Sequence, residues 1–188
     1  MKRVWITGYR SYELSIFNDK DPKLIIIKEA LKHKIIEKIE DGAEWFLAGP
    51  QLGTEQWGLM VCNDLKSEYP KIKTALMMPF ANFGQQWNEN NTIKLSNLKQ
   101  KVDFCDSIIK QDYQSPQQLR NFQTFMLNHT DEALMLYDPE KEGKSHYDYQ
   151  AIQRFQAHHE YNLDLIDFYD LQEEAELYNE KQASEHDF

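Results

Sequence analysis

Apolar residues along this chain follow two rhythms: short continuous runs, and longer stretches in which an apolar side chain returns every third or fourth position. The first rhythm marks strands buried on both faces, the second amphipathic helices. Arg3-Val4-Trp5-Ile6-Thr7-Gly8 opens the series as a buried strand whose carboxyl end is Thr7-Gly8. Asp21-Pro22 then sets an N-cap before a proline at the first helical position, and Leu24, Ile27, Leu31, Ile35 and Ile39 recur at helical spacing until Gly42. A second strand, Glu44 to Ala48, runs into Gly49-Pro50-Gln51-Leu52-Gly53, and the helix predicted from Thr54 to Ser67 turns Trp57, Val61 and Leu65 inward. Ile72 to Met78 reads as a third strand closed by Pro79-Phe80. Leu95, Leu98, Val102 and Cys105 predict a third helix, and Ser107-Ile108-Ile109 a short fourth strand. Ser115-Pro116-Gln117-Gln118 has the form of a capping box opening a helix with Leu119, Phe122 and Met126 inward, ending near His129. Ala133 to Tyr137 is the fifth strand, a helix follows on Ala151, Ile152 and Phe155, and Leu163 to Phe168 is the sixth strand.

Strands alternating with helices over the whole length predict an α/β fold: a doubly wound, Rossmann-like, mostly parallel sheet of about six strands with helices on both faces. One domain is expected over residues 1–173, and the acidic, weakly apolar segment 174–188 is expected to fray. Such sheets bind ligands outside the carboxyl ends of their strands. Thr7, Gly8, Tyr9, Arg10, the loop from Gly49 to Glu55, and Tyr137-Asp138 all fall there. Glycine lets a backbone approach a ligand and turn sharply, and the amides of Gly53, Thr54 and Glu55 are expected at a helix N-terminus, which favours a phosphate. Neither G-x-G-x-x-G nor a P-loop lysine is present, so on the residues alone the loop suits a tight strand-to-helix turn equally well.

A net charge of -10 argues against a general nucleic-acid binder, which needs clustered Lys and Arg. No apolar run approaches membrane-spanning length and no signal-peptide core follows Met1, so a cytoplasmic protein is expected. Cys62 and Cys105 lack C-x-x-C spacing and read as ordinary buried thiols, and His129, His146, His158 and His159 lack metal-ligand spacing, so no metal is assigned.

Thr7-Gly8-Tyr9-Arg10, Glu13-Leu14, Gly49 through Trp57, Trp87, Ser115-Pro116 and Tyr137 through Gly143 together resemble the YpsA family of Gram-positive bacteria, over nearly the whole chain. The resemblance implies a branch of the SLOG superfamily, which contains the DNA-processing protein DprA and the Lonely Guy phosphoribohydrolases. It implies a nucleotide-derived ligand, a nucleoside phosphate or an ADP-ribose-like molecule, and a link to cell division with division proteins as partners. Gly53 and Glu55 carry over as the central pair, with Gly49 and Gln51 beside them and Thr7-Gly8 opposite. Beside that resemblance, Glu55 suits a ribose hydroxyl pair, Arg10 and Arg120 suit phosphates, Trp87 and Tyr9 suit a base, and Asp138 lies on the same rim. The Lonely Guy loop P-G-G-x-G-T-x-x-E is not reproduced: aligned on Gly53-Thr54, Trp57 takes the position of the final glutamate, and Pro50 stands where relatives carry glycine. The leading expectation is a cytosolic nucleotide-ligand binder acting as a sensor. The alternatives are a nucleotide N-glycosidic hydrolase using Glu55 or Asp138, a DprA-like single-stranded DNA binder, and a pure interaction protein.

Overall fold

Val4, Trp5 and Ile6 are all completely shielded from solvent, a burial of successive residues that requires a strand covered on both faces. The computed structural model, which describes residues 1–187, places them in β1 (Lys2–Gly8) near the middle of a six-stranded sheet. The other strands are β2 (Ala43–Ala48), β3 (Lys73–Met78), β4 (Phe104–Ser107), β5 (Glu132–Leu136) and β6 (Asn162–Ile166). Their order is β4-β3-β2-β1-β5-β6, and every neighbouring pair is parallel. Parallel neighbours need crossover connections, and helices supply them: α1 (Pro22–Glu40), α2 (Thr54–Leu65), α3 (Glu89–Lys101), α4 (Gln117–His129) and α5 (His146–Gln156), with α6 (Phe168–His186) after β6. Asp21 starts α1 as expected, its carboxylate accepting from the Lys23 amide at 2.9 Å ahead of Pro22 at the first turn.

Contacts join α1 with α2 and α6, and α2 with α3, in one layer, while α4 packs on α5 in the other. The chain builds outward from β1 to β4, crosses back past β1, and finishes through β5 and β6. With right-handed crossovers, the helices following β1 and β5 leave toward opposite faces. The carboxyl ends of these two adjacent strands therefore border a crevice, the usual ligand position in open α/β sheets. No helix among the described residues is long and apolar enough to cross a membrane.

The sheet's edge departs from the sequence expectation. Cys105 belongs to β4 rather than to a helix and is exposed rather than buried, and Val102 ends α3. The strand begins at Phe104, ahead of the expected Ser107, because the Asp103 carboxylate accepts from the Thr74 amide at 2.8 Å and from Lys66 Nζ at 2.6 Å, fixing the register with β3. An edge strand with exposed faces shows no apolar run to read. Cys62, by contrast, is buried in α2 and its thiol is pushed up by that burial. At the start of α4 only half of the capping box forms: Gln118 Oε1 accepts from the Gln114 and Ser115 amides at 2.7 and 3.2 Å, with no cap from the Ser115 side chain. Leu119, expected inward, is 38% exposed.

The segment after Glu173, expected to fray, continues α6 to His186, and residue 188 lies outside the described residues. Asp167 and Asp170 cap each other's backbone at the start of α6, Leu171 packs against the core, and Glu174 meets His33 Nδ1 of α1 at 3.0 Å.

Candidate functional site

After Gly8 the chain turns across the loop that follows β2. The Tyr9 carbonyl accepts from the Thr54 amide at 3.1 Å and from Thr54 Oγ1 at 2.9 Å, while the Ser11 amide donates to Leu52 O at 3.0 Å. Arg10 and Gly53 are thereby paired as an isolated antiparallel bridge. Gly53 has φ +124°, and a Cβ there would lie 2.6 Å from both Ser11 N and Tyr9 O. The glycine is required by the chain's own crossing, and the Thr54 amide, expected to face a phosphate, is held by Tyr9.

Glu55, one residue further, folds back onto the loop: Oε2 accepts from the Gln51 amide at 3.1 Å. Gly49 makes room for it, since a Cβ on Gly49 would stand 2.5 Å from Glu55 Oε1. The side chain is only 5% exposed. Burial, and then the neighbouring charge of Asp148, push its pKa up to about 8, against the opposing pull of Arg10 and the Gln51 and Gly49 amides. Asp148, on α5, accepts from Thr7 Oγ1 at 2.6 Å and from Gln123 Nε2 of α4 at 2.7 Å. Its pKa is also raised, by burial, with those two bonds and Arg10 opposing. Two carboxylates thus come together where β1, α2, α4 and α5 converge.

They line a cavity of about 450 Å³ that also takes in Thr7, Gly8, Arg10, Gln51 and, from α4 and α5, Phe122, Arg120 and Arg154. The chain has four arginines, and three of them, Arg10, Arg120 and Arg154, border this cavity together with Lys144. Among the described residues these four cations are absent from the ion pairs that engage Lys2, Arg3, Lys38 and Lys66. Arg120 is steadied only by its Nε donating to Gln117 Oε1 at 3.0 Å. Arg120, Arg154 and Lys144 are exposed and Arg10 is half-buried. The arrangement offers donors for an anionic group and acceptors for hydroxyls within one cavity.

Of the residues singled out from sequence, Thr7, Gly8, Arg10, Gln51, Glu55 and Arg120 line the cavity, and Gly49 stands behind Glu55. Thr54 is buried against Tyr9. Tyr9 has no face free for a base: its ring stacks on Phe168 at 5.6 Å and its hydroxyl, bonded to Lys141 O at 2.5 Å and receiving the Asp138 amide at 3.0 Å, is pushed up to about 12 by burial. Asp138 is not in the cavity lining; its carboxylate holds a turn, accepting from the Glu140 amide at 2.9 Å. Gly53 and Trp87 line a neighbouring groove that meets the cavity at Arg10 and Gln51. Asp148, Gln123 and Arg154 escaped the sequence reading. The signal for Asp148 was its place on the inward stripe of α5 with Ala151, Ile152 and Phe155. Outside this cavity, Glu29, His33 and Glu174 bring donor atoms within 4.8 Å of one another, where His33 pairs with both carboxylates.

A family model described as the YspA SLOG family matches residues 4–171. The chain belongs to that family. A UPF0398 protein of Pediococcus pentosaceus is 61% identical over 181 residues, covering 96% of this chain and 99% of the relative. UPF0398 proteins of Limosilactobacillus reuteri and Lactobacillus gasseri are 54% and 53% identical, each covered over its full length. The YspA SLOG match takes in the sheet from Val4 of β1 to the end of β6 and every residue that lines the cavity.

Proposed function

We propose that this member of the YspA SLOG family is a cytoplasmic protein that binds a nucleotide or nucleotide-derived ligand in the cavity beside Glu55 and Asp148. The observation carrying the reading is the convergence of three of the chain's four arginines on one cavity that also holds the two carboxylates. A phosphate takes Arg120, Arg154 and Lys144, whose donors match its oxygens. The sugar hydroxyls donate to Asp148 and, once it ionises, to Glu55. A cavity of about 450 Å³ is within the size range of pockets for small molecules. A sensor linked to cell division is the role that fits a bound ligand without turnover.

A second reading, hydrolysis of the bond between base and ribose phosphate, is favoured by Asp148. Sequence left Glu55 with only Asp138 as a carboxylate companion, and Asp138 does not line the cavity, whereas Asp148 does. With a pKa of about 8, Glu55 carries a proton near neutrality and suits a general acid. The experiment is calorimetry with AMP, ADP-ribose and adenosine, followed by chromatography of the mixtures. Binding of AMP or ADP-ribose but not adenosine, lost in Arg154→Ala, supports the binding reading. Adenine release abolished by Asp148→Asn replaces it with turnover. Equal affinity for adenosine and AMP would remove the phosphate from the site.

A further inference from the structure

A groove of about 970 Å³ runs from Arg10 and Gln51 away from the cavity, between the 9–19 segment, α2 and α3. Four large apolar side chains that border it are open to solvent: Phe17 at 77%, Tyr12 at 50%, Ile93 at 48% and Met60 at 38%. Trp87 and Trp57 lie deeper along the same surface. Apolar side chains gathered in one groove mark an interaction surface more than scattered ones do, and tryptophan at the base of such a groove is a favoured anchor for binding energy.

The charge pattern selects the occupant. On a chain of net charge -10, the groove has Arg10, Lys94 and Lys101 as cations and, among the described residues, Asp19 as its only carboxylate. Asp19 is paired with Lys94 at 3.1 Å, leaving Arg10 at one end and Lys101 at the other without an ion pair among the described residues. Asn90, Asn91 and Asn97 line the α3 side, and their side chains both donate and accept, as a peptide backbone requires. We infer that this groove docks an acidic peptide segment of a partner protein, its bulky apolar side chains set between Met60, Ile93 and Phe17 and its carboxylates directed to Arg10 and Lys101.

The test uses the full chain and a short fluorescein-labelled peptide of Glu, Leu and Phe, with a counterpart in which Lys replaces Glu. Anisotropy is followed in wild type, Met60→Glu, Ile93→Glu and Lys101→Glu. These sites lie in the groove and outside the cavity lining, so the result does not depend on the nucleotide reading. Expected is binding of the acidic peptide at least about tenfold tighter than the lysine peptide, roughly 1.4 kcal/mol, and weakened about as much by each substitution at unchanged melting temperature. Failure of the acidic peptide to bind, equal binding of the two peptides, or binding indifferent to all three substitutions overturns the proposal. Sedimentation showing self-association that Met60→Glu abolishes would assign the groove to a second copy and overturn it as well.

Discussion

Glu55 is held close to its loop by an amide that favours the charged form and by a burial that opposes it, and burial wins. Its pKa rises from the ordinary 4.5 to about 8. A raised carboxyl favours the folded state fully below the ordinary value, and that contribution is lost as pH climbs toward the folded one. Between those limits the slope approaches about 1.4 kcal/mol per pH unit for one proton. Glu55→Gln keeps an acceptor for the Gln51 amide and removes the proton. Urea unfolding at a series of pH values should therefore show wild type losing stability relative to Glu55→Gln as pH rises; parallel curves would mean that Glu55 is already ionised at neutral pH. Gly53 gives a second residue-scale expectation. Its φ of +124° and the 2.6 Å approach to Tyr9 O and Ser11 N make Gly53→Ala a folding defect of about 1 to 3 kcal/mol, the usual size of a strained backbone position. A fall in melting temperature in the absence of any ligand would separate this from a ligand-blocking methyl group.

Among the elements, those covered on both faces were the most legible. β1, β2, β3 and β5 carry continuous apolar runs because both faces are covered, and their ends were read within a residue or two. β4 was misplaced because an edge strand is set by Asp103 and its partners on Thr74 and Lys66, a long-range contact that leaves no periodic trace. No part of α6 was legible, because its stability comes from α1 and a local capping box rather than from a strong apolar face. The candidate site was legible where it sits on strand ends and invisible where α4 and α5 supply Gln123, Asp148 and Arg154, which only the crossover brings opposite β1. The opposite rim of the sheet offers a contrast. Lys38 of α1 bonds Glu132 at 2.9 Å and Asp164 at 3.1 Å, tying α1 to β5 and β6 far from the strand ends that form the cavity. Lys38→Ala leaves the buried Glu132 carboxylate paired with Lys2 and Asn162, a loss of about 1.5 to 3 kcal/mol, the usual size for a hydrogen bond to a charged group. Chemical denaturation should register it while AMP affinity at low temperature stays unchanged; a matching loss of affinity would couple the two rims.

The whole molecule sets an acidic surface around a cationic cavity, and the two make opposite demands on an anionic ligand. At low salt the net charge of -10 repels an approaching nucleotide over distances comparable with the Debye length of about 10 Å at 0.1 M. Once inside, the ligand meets Arg10, Arg120, Arg154 and Lys144 at contact range, where screening is weaker. Added salt therefore relieves the long-range repulsion while only modestly weakening the local pairs, and the two changes offset each other. A nucleic-acid binder behaves differently, because each neutralised phosphate releases condensed counterions and affinity falls by orders of magnitude between about 50 and 200 mM salt. AMP affinity measured by calorimetry across that range is expected to change by no more than a few-fold, and a single-stranded oligonucleotide is expected not to compete. A steep salt slope together with oligonucleotide competition would mean that Arg120 and Arg154 belong to a strand-binding track along α4 and α5, and the DprA-like alternative would then replace a small-molecule site.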